Sequence, residues 1–321
     1  MKFKLFSRSA PTPPLSVDQA IWEIHSQYRR HNRWNILANM MRAIGVLLFP
    51  LAFIVLSMNG GNWPWSSSEE SKAHTAFVNV RGEIAAGSLA DSDRLIPAIQ
   101  KAFKNEHSKA IIIKINSPGG SPVPSGRIHD EILVQRAKFP EKKVYAVIDD
   151  IGASGGYYIA VSANEIYADR ASLVGSIGVI SSTFGFTGLM DKLGIERRAI
   201  TAGEHKALLD PFSPLSPEIK KFWEALLAQT NEQFVSRVKT GRGNRLQDDP
   251  KIFSGLIWNG EQAMNLGLID GLGSMEQVAS DVIGVSKLVD YTPSEDFFKR
   301  MSQRAKVEAR ALLSNALPSL R

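Results

Sequence analysis

Three apolar runs, Ala76 to Val80, Ala110 to Ile115 and Val144 to Ile148, are each followed by a turn and a helical pattern. This alternation constrains the fold more than any other feature of the chain. The second run is interrupted only by Lys114, which leaves its strand little room for a solvent-facing side. The amphipathic stretch Asp91 to Phe103, a segment ending near Lys138 and another after Ser154 supply helices, and Ala163 to Ala168 and Val174 to Ile180 add two short strands. The succession predicts an α/β fold with a mostly parallel sheet covered by helices. Further along, Phe222 to Val238 reads as a helix broken by Gly241-Arg242-Gly243, and Gly260 to Gly273 as a helix with a Gly-ended turn.

In sheets of this kind ligands gather beyond the carboxyl ends of the strands. Two Gly-rich turns follow strands in that way, Asn116 to Gly120 and Gly152 to Gly156. The second surrounds one hydroxyl, Ser154, and Gly152-x-Ser154-x-Gly156 has the form of a nucleophile elbow. A strand that breaks there and re-enters a helix presents free N–H groups to an oxyanion. Taken alone, the same small residues equally suit a helix packed closely on a sheet.

Composition removes several chemistries. The chain has no cysteine, which excludes thiol catalysis, disulfides and Cys-ligated metal sites. Its net charge of +6 is uneven: residues 1–42 carry +5, residues 291–321 carry +3 and the middle −2. A core of that sign argues against nucleic acid as a partner, and basic ends suit an anionic membrane surface. From Ala43 to Met58 run 16 residues without a charge, preceded by Arg42 and followed by Trp63 and Trp65. We read this as a single membrane span, slightly short of the usual ~20 residues, with the N-terminus in the cytoplasm by the positive-inside rule. The expected organisation is a basic cytoplasmic arm (1–42), a transmembrane anchor (43–58), a linker (59–74), a catalytic domain (75–290) and a basic C-terminal helix or tail (291–321).

A serine nucleophile needs a group to take its proton. His205 is the only histidine after Ser154, and the last 116 residues contain none, a poor fit to the α/β-hydrolase order of serine, acid, histidine. Lysine is the other option, because burial can keep its amine neutral. Lys206 sits in the mostly small and apolar loop from Ala202 to Phe212. The residues by themselves reach a Ser-Lys possibility and go no further.

Five motifs in this order resemble the signal peptide peptidase A (SppA) family, the S49 serine peptidases, in its short single-unit form. They are Asn116-Ser117-Pro118-Gly119-Gly120, the Ala153-Ser154-Gly155-Gly156-Tyr157-Tyr158 box, Gly175-Ser176-Ile177-Gly178-Val179, the Gly203 to Lys206 loop, and Ala263 to Gly273. The likeness runs from about Phe77 to Leu288. It implies a Clp/crotonase-like β-α-β superhelix, with Ser154 as nucleophile, Lys206 as general base and Ser176 orienting the lysine. The N–H groups of Gly120 and Gly155 would form the oxyanion hole, Gly119 being the weaker candidate donor. Gly178, Val179 and Ile180 would line a groove that pairs with an extended peptide.

The resemblance further implies no metal or cofactor, hydrophobic peptide substrates such as remnant signal peptides, and a small apolar pocket for the side chain before the cut. It also implies a homo-oligomeric ring in which the serine of one subunit meets the lysine of the next. With the membrane span, the expected location is the bacterial inner membrane, with the catalytic domain periplasmic or otherwise extracytoplasmic. Two other readings share the fold: a crotonase-like acyl-CoA enzyme, which would not need Lys206, and a non-catalytic membrane scaffold, which would give Ser154 no role.

Overall fold

In the computed structural model the described residues are 70–293, with the isolated positions Met41 and Ile44. Nearly all of the expected arm and anchor segment, most of the linker and the tail from residue 294 lie outside them. Among the described residues no helix is long and apolar enough to cross a membrane. The chain divides into two compact units, 1–68 and 69–321, and the sheet with its covering helices belongs to the second.

Strands β1 (His74–Arg81), β2 (Ser108–Ser117) and β3 (Val144–Ala153) form the centre of the sheet, β1 to β2 and β2 to β3 both parallel. Helix α1 (Ser92–Lys104) connects the first pair and α2 (Pro122–Lys138) the second. β3 then divides its partners. Tyr145 to Ile148 pair with β4 (Glu165–Ala168), while Ile151 to Ala153 pair with β5 (Leu173–Gly175). The short helix α3 (Gly155–Ala160) starts directly where β3 ends. β6 (Ile257–Asn259) adds antiparallel to β5, β7 (Gly271–Leu272) extends β4, and β8 (Leu288–Asp290) closes the opposite edge on β1.

The unbroken apolar strands are explained by two covered faces. Because side chains alternate along a strand, Ile111, Ile113, Ile115, Val144, Ala146 and Ile148 enter the main core with Leu95, Ile99, Ile128 and Ile132 of α1 and α2. The alternate set, Ala110, Ile112, Tyr145 and Val147, meets Met275, Val278 and Ala279 on the other side. Lys114 stays at that second face by pairing with Asp149 at 3.0 Å.

Three elements differ from expectation. The strand foreseen over Val174 to Ile180 ends at Gly175, since β6 pairs only with Leu173 to Gly175 and nothing pairs beyond. The helix foreseen at Phe222 to Val238 is α5 (Pro217–Arg242), opened by the Ser216 hydroxyl accepting from Ile219 N–H; α4 (Thr187–Leu193) precedes it. The stretch from Gly260 to Gly273 is the short helix α6 (Gly260–Asn265) with a capping box of Asn259 and Gln262, then a turn at Gly267 (φ +74°) and β7.

Two histidines are built into the core. His129 on α2 is 2% exposed and its Nδ1 donates to Asp130 Oδ1 at 2.9 Å, while His74 contacts the Tyr291 hydroxyl at 3.1 Å. Burial holds both below the ordinary histidine value; at His129 the Asp130 carboxylate opposes this and Arg237 adds to it. The unfolded chain therefore takes up protons more readily than the folded one, so stability falls as pH drops through ~6.5. Thermal melting between about pH 8 and pH 5 is expected to show this decline, and a flat profile would contradict it.

Candidate active site

β3 delivers Ser154 on a strained turn. Its φ of +50° and ψ of −121° lie where a residue with a Cβ is rarely found, and its N–H is held by the Gly175 carbonyl at 2.8 Å. The Ser154 carbonyl accepts from Tyr158 N–H at 2.9 Å, so α3 begins at once. The surrounding glycines are closely packed. A methyl on Gly152 would come 2.7 Å from the Ile148 side chain, and one on Gly156 would come 2.9 Å from the Ser117 carbonyl. Close packing and exposure of the hydroxyl come from the same small residues.

The turn after β2 is pressed against this elbow. A methyl on Gly119 (φ +100°) would lie 2.7 Å from both the Gly155 nitrogen and the Ser154 Cβ. Gly120 (φ +151°) bridges to Ile84, whose carbonyl accepts from Ser121 N–H at 2.8 Å. Gly155 faces it, since a methyl on Gly155 would lie 3.4 Å from the Gly120 nitrogen. Among the described residues neither the Gly120 nor the Gly155 N–H has a protein acceptor. Two free donors beside one hydroxyl can hold the oxygen of a tetrahedral intermediate.

These groups open on a cavity of about 430 Å³. Gly120, Ser154, Gly155 and the expected groove residues Gly178, Val179 and Ile180 all line it. The backbone groups of 178–182 have no backbone partner among the described residues. Ser176 (φ +50°) immediately follows the residue that holds Ser154 N–H and donates its own N–H to Leu256, but it does not line the cavity. Lys206 is not brought to Ser154 within the single chain. It is exposed, in a turn where its N–H donates to the Gly203 carbonyl at 3.2 Å, and it is absent from the cavity wall.

The wall of the cavity is mixed in polarity. Val123, Tyr158 and Phe234 line it together with Arg127, Asp130, Thr230, Gln233 and Arg237. Arg237 pairs with Asp130 at 3.2 Å, and Arg127 with Asp93 at 2.7 Å. The polar and charged residues of the wall come from α2 and α5, about a hundred positions apart, where charged residues read as ordinary solvated helix faces; no local signal marks them.

Residues 136–288 match the family model described as peptidase family S49. A Synechocystis sp. protein that bears a protease name is 35% identical over 217 residues, covering 67% of this chain and 74% of that protein. The chain belongs to peptidase family S49. Protease 4 of Haemophilus influenzae is 30% identical over 229 residues, 69% of this chain and 36% of that protein. The Na(+)/H(+) antiporter NhaA of Brucella melitensis biotype 1 is 48% identical over 177 residues, 55% of this chain and 24% of that protein. The chain thus spans about a quarter of the length of the curated relatives it matches first. S49 is a serine peptidase family, and a hydroxyl beside two free amides supplies two of the three parts that acyl transfer by serine uses, the third being a group that takes the proton.

The amide geometry has a direct test. In Gly155→Ala the new methyl collides with Ser125 Oγ, which is buried and bonded to the Ser121 carbonyl at 2.9 Å. Displacing one oxyanion donor is expected to lower kcat about 10²- to 10³-fold with a smaller change in KM. An unchanged kcat would remove Gly155 from the site.

Proposed function

We propose that this S49 member is a membrane-anchored endopeptidase that cuts hydrophobic peptides with a Ser154–Lys206 dyad shared between neighbouring copies. The observation that carries this reading is the convergence of the strained Ser154, the free amides of Gly120 and Gly155 and the unpaired backbone of 178–180 on one cavity. An extended peptide adds to that backbone as a further strand, which sets its carbonyl beside Ser154. Ser154 Oγ attacks the carbonyl carbon while the neutral amine of Lys206 accepts the hydroxyl proton. The oxyanion accepts from the two amides, the C–N bond breaks, and the leaving amine takes the proton back. Water, deprotonated by the same lysine, then hydrolyses the ester.

A lysine can act in this way only where its surroundings are shielded from water. Within one chain Lys206 is exposed, so the shielding surface belongs to a second copy. The segment bearing it supports this: Ile180, Phe184, Leu189, Leu193 and Ile200 are 87%, 78%, 55%, 63% and 99% exposed. Such apolar area is normally covered by a partner. Ala43 to Met58 would tether the domain to the bacterial inner membrane on its extracytoplasmic side, near hydrophobic substrates.

The test is hydrolysis of an internally quenched hydrophobic peptide by the full chain, alongside alkaline carbonate washing of membranes that contain it. The reading expects cleavage that a serine-directed phosphonate abolishes and full chain retained in the washed membrane. Release of the full chain into the wash would contradict the anchor, and cleavage insensitive to the phosphonate would contradict the serine.

A further inference from the structure

Helices α2 and α5 each turn one stripe of side chains to the cavity at Ser154. Val123, Arg127 and Asp130 recur at the four- and three-residue steps of one face of α2, and Thr230, Gln233, Phe234 and Arg237 do so on α5. Phe234 is 4% exposed and its ring lies 4.9 Å from that of Tyr158, which His129 meets edge-on at 5.2 Å. Tyr158 and Phe234 thus give the cavity an apolar side that is fixed from behind.

The charged side is fixed in the same way. His129 Nδ1 donates to Asp130 Oδ1 at 2.9 Å, and Arg237 Nη2 reaches the same oxygen at 3.2 Å. Arg127 Nη1 is held by Asp93 at 2.7 Å and by the Ser92 hydroxyl at 3.0 Å. One nitrogen of each guanidinium is used in this way. Arg237 Nε and Nη1, and Arg127 Nε and Nη2, have no acceptor among the described residues. Among the same residues Asp130 is the one carboxylate in the cavity wall, and it already accepts from two donors. The wall therefore has N–H groups to spare and no free carboxylate to receive a cation.

The ligand that matches such a wall is an acceptor on an apolar stem. Glutamate has that form: its methylenes suit the rings of Tyr158 and Phe234, and its carboxylate suits a charge-assisted bond from an arginine. Arg237 is better placed for this than Arg127. It stands one turn from Phe234, and its partner Asp130 is anchored by the buried His129, whereas Asp93 beside Arg127 is 73% exposed. The ion pair already present is no obstacle, because half-exposed pairs are weak and the unused nitrogens require none to be broken.

We infer that this side of the cavity is a substrate subsite for an acidic side chain, with Arg237 the residue that selects it. The substrate is then a hydrophobic peptide with one acidic residue close to the cut, and to that extent the inference rests on the peptidase reading above.

The experiment uses the full chain in detergent and internally quenched hydrophobic peptides with glutamate, glutamine, leucine or lysine placed in turn at each position around the cut. The expected result is one position at which kcat/KM for glutamate exceeds that for leucine by about 10-fold, with glutamine between them and lysine poorest. Arg237→Gln is expected to bring the glutamate-to-leucine ratio to about one. Arg237→Lys should retain part of the preference, which a variant that merely unfolds would not do. A parent that prefers leucine at every position, or a glutamate preference that survives Arg237→Gln, overturns the inference and leaves the peptidase reading standing. Fluorescein-labelled versions of the same peptides, bound to Ser154→Ala and followed by anisotropy, separate the two ideas. Glutamate-selective binding that is lost in Ser154→Ala/Arg237→Gln supports the subsite even where the parent cuts nothing, and equal binding of the glutamate and leucine peptides overturns it.

Discussion

Ser154→Ala is expected to reduce peptide hydrolysis by about 10⁴-fold or more while leaving the melting temperature within about 2 °C of the parent. The loss is large because the two amides can stabilise an oxyanion only after a nucleophile has created one. Stability is unaffected because alanine keeps the Cβ, and with it the strain at φ +50°. Ser154→Gly provides the control. Glycine adopts this conformation freely, so that variant is expected to be equally inactive yet more stable than Ser154→Ala by about 1 kcal/mol. Equal stability of the two would mean that the turn stores no strain. The readouts are initial rates with a hydrophobic peptide and denaturation by urea.

The largest effect on folding is expected from Arg242→Ala. The Arg242 guanidinium is 1% exposed and forms a fork onto Asp270, Nη1 at 2.7 Å and Nη2 at 2.9 Å, while Nε donates to the Gly267 carbonyl at 2.7 Å. Asp270 also accepts from Ile166 N–H at 2.7 Å and from Arg245 at 3.1 Å. The cluster therefore ties the end of α5 to β4 and to the turn before β7. Burial alone would raise the Asp270 carboxyl, but Arg242, the Ile166 amide and Arg245 outweigh it and hold the group below the usual carboxylate range. Alanine would leave that carboxylate largely buried without its main partner, at a cost of about 3–5 kcal/mol. For a unit of this size the melting temperature should fall by about 10 °C. Arg242→Lys should recover only part, since an ammonium cannot reproduce the fork and the Nε bond together. A depressed Asp270 contributes stability above the unfolded carboxylate value that is lost as pH falls through its lower folded value, so the gap between parent and variant should narrow in acid. A variant melting within about 2 °C of the parent would show that the cluster does not hold α5.

The sheet is legible in the sequence because its central strands are covered on both faces and read as unbroken apolar runs. Strand ends are not, because they depend on a neighbour: Gly178 to Ile180 has strand-like residues but no strand beside it. The first turns of α5 escape the apolar pattern because they carry the exposed charges Glu218, Lys220 and Lys221, although Ser216-Pro217-Glu218 is a start signal visible in the sequence. Of the residues singled out in the sequence, Ser154, Gly120, Gly155, Gly178, Val179 and Ile180 line one cavity, and the first three sit in Gly-rich turns that are visible as such in the sequence. Asp270 is inconspicuous inside the Gly-rich ending of its motif, and Arg242 reads only as part of a helix break. Their pairing joins positions 28 apart that no local pattern connects. Lys206 stands apart from Ser154 in one chain, and the resemblance to SppA peptidases implies that the two meet between copies.

The most direct test of that sharing is to purify Ser154→Ala and Lys206→Ala separately, show that each is inactive, and then dissociate, mix and reassemble them. A mixed assembly contains some sites with an intact serine from one copy and an intact lysine from the other, so the shared dyad predicts that a fraction of parental activity returns. Two inactive variants that stay inactive after verified co-assembly would contradict a site built between copies, and full activity in Lys206→Ala would contradict the dyad itself.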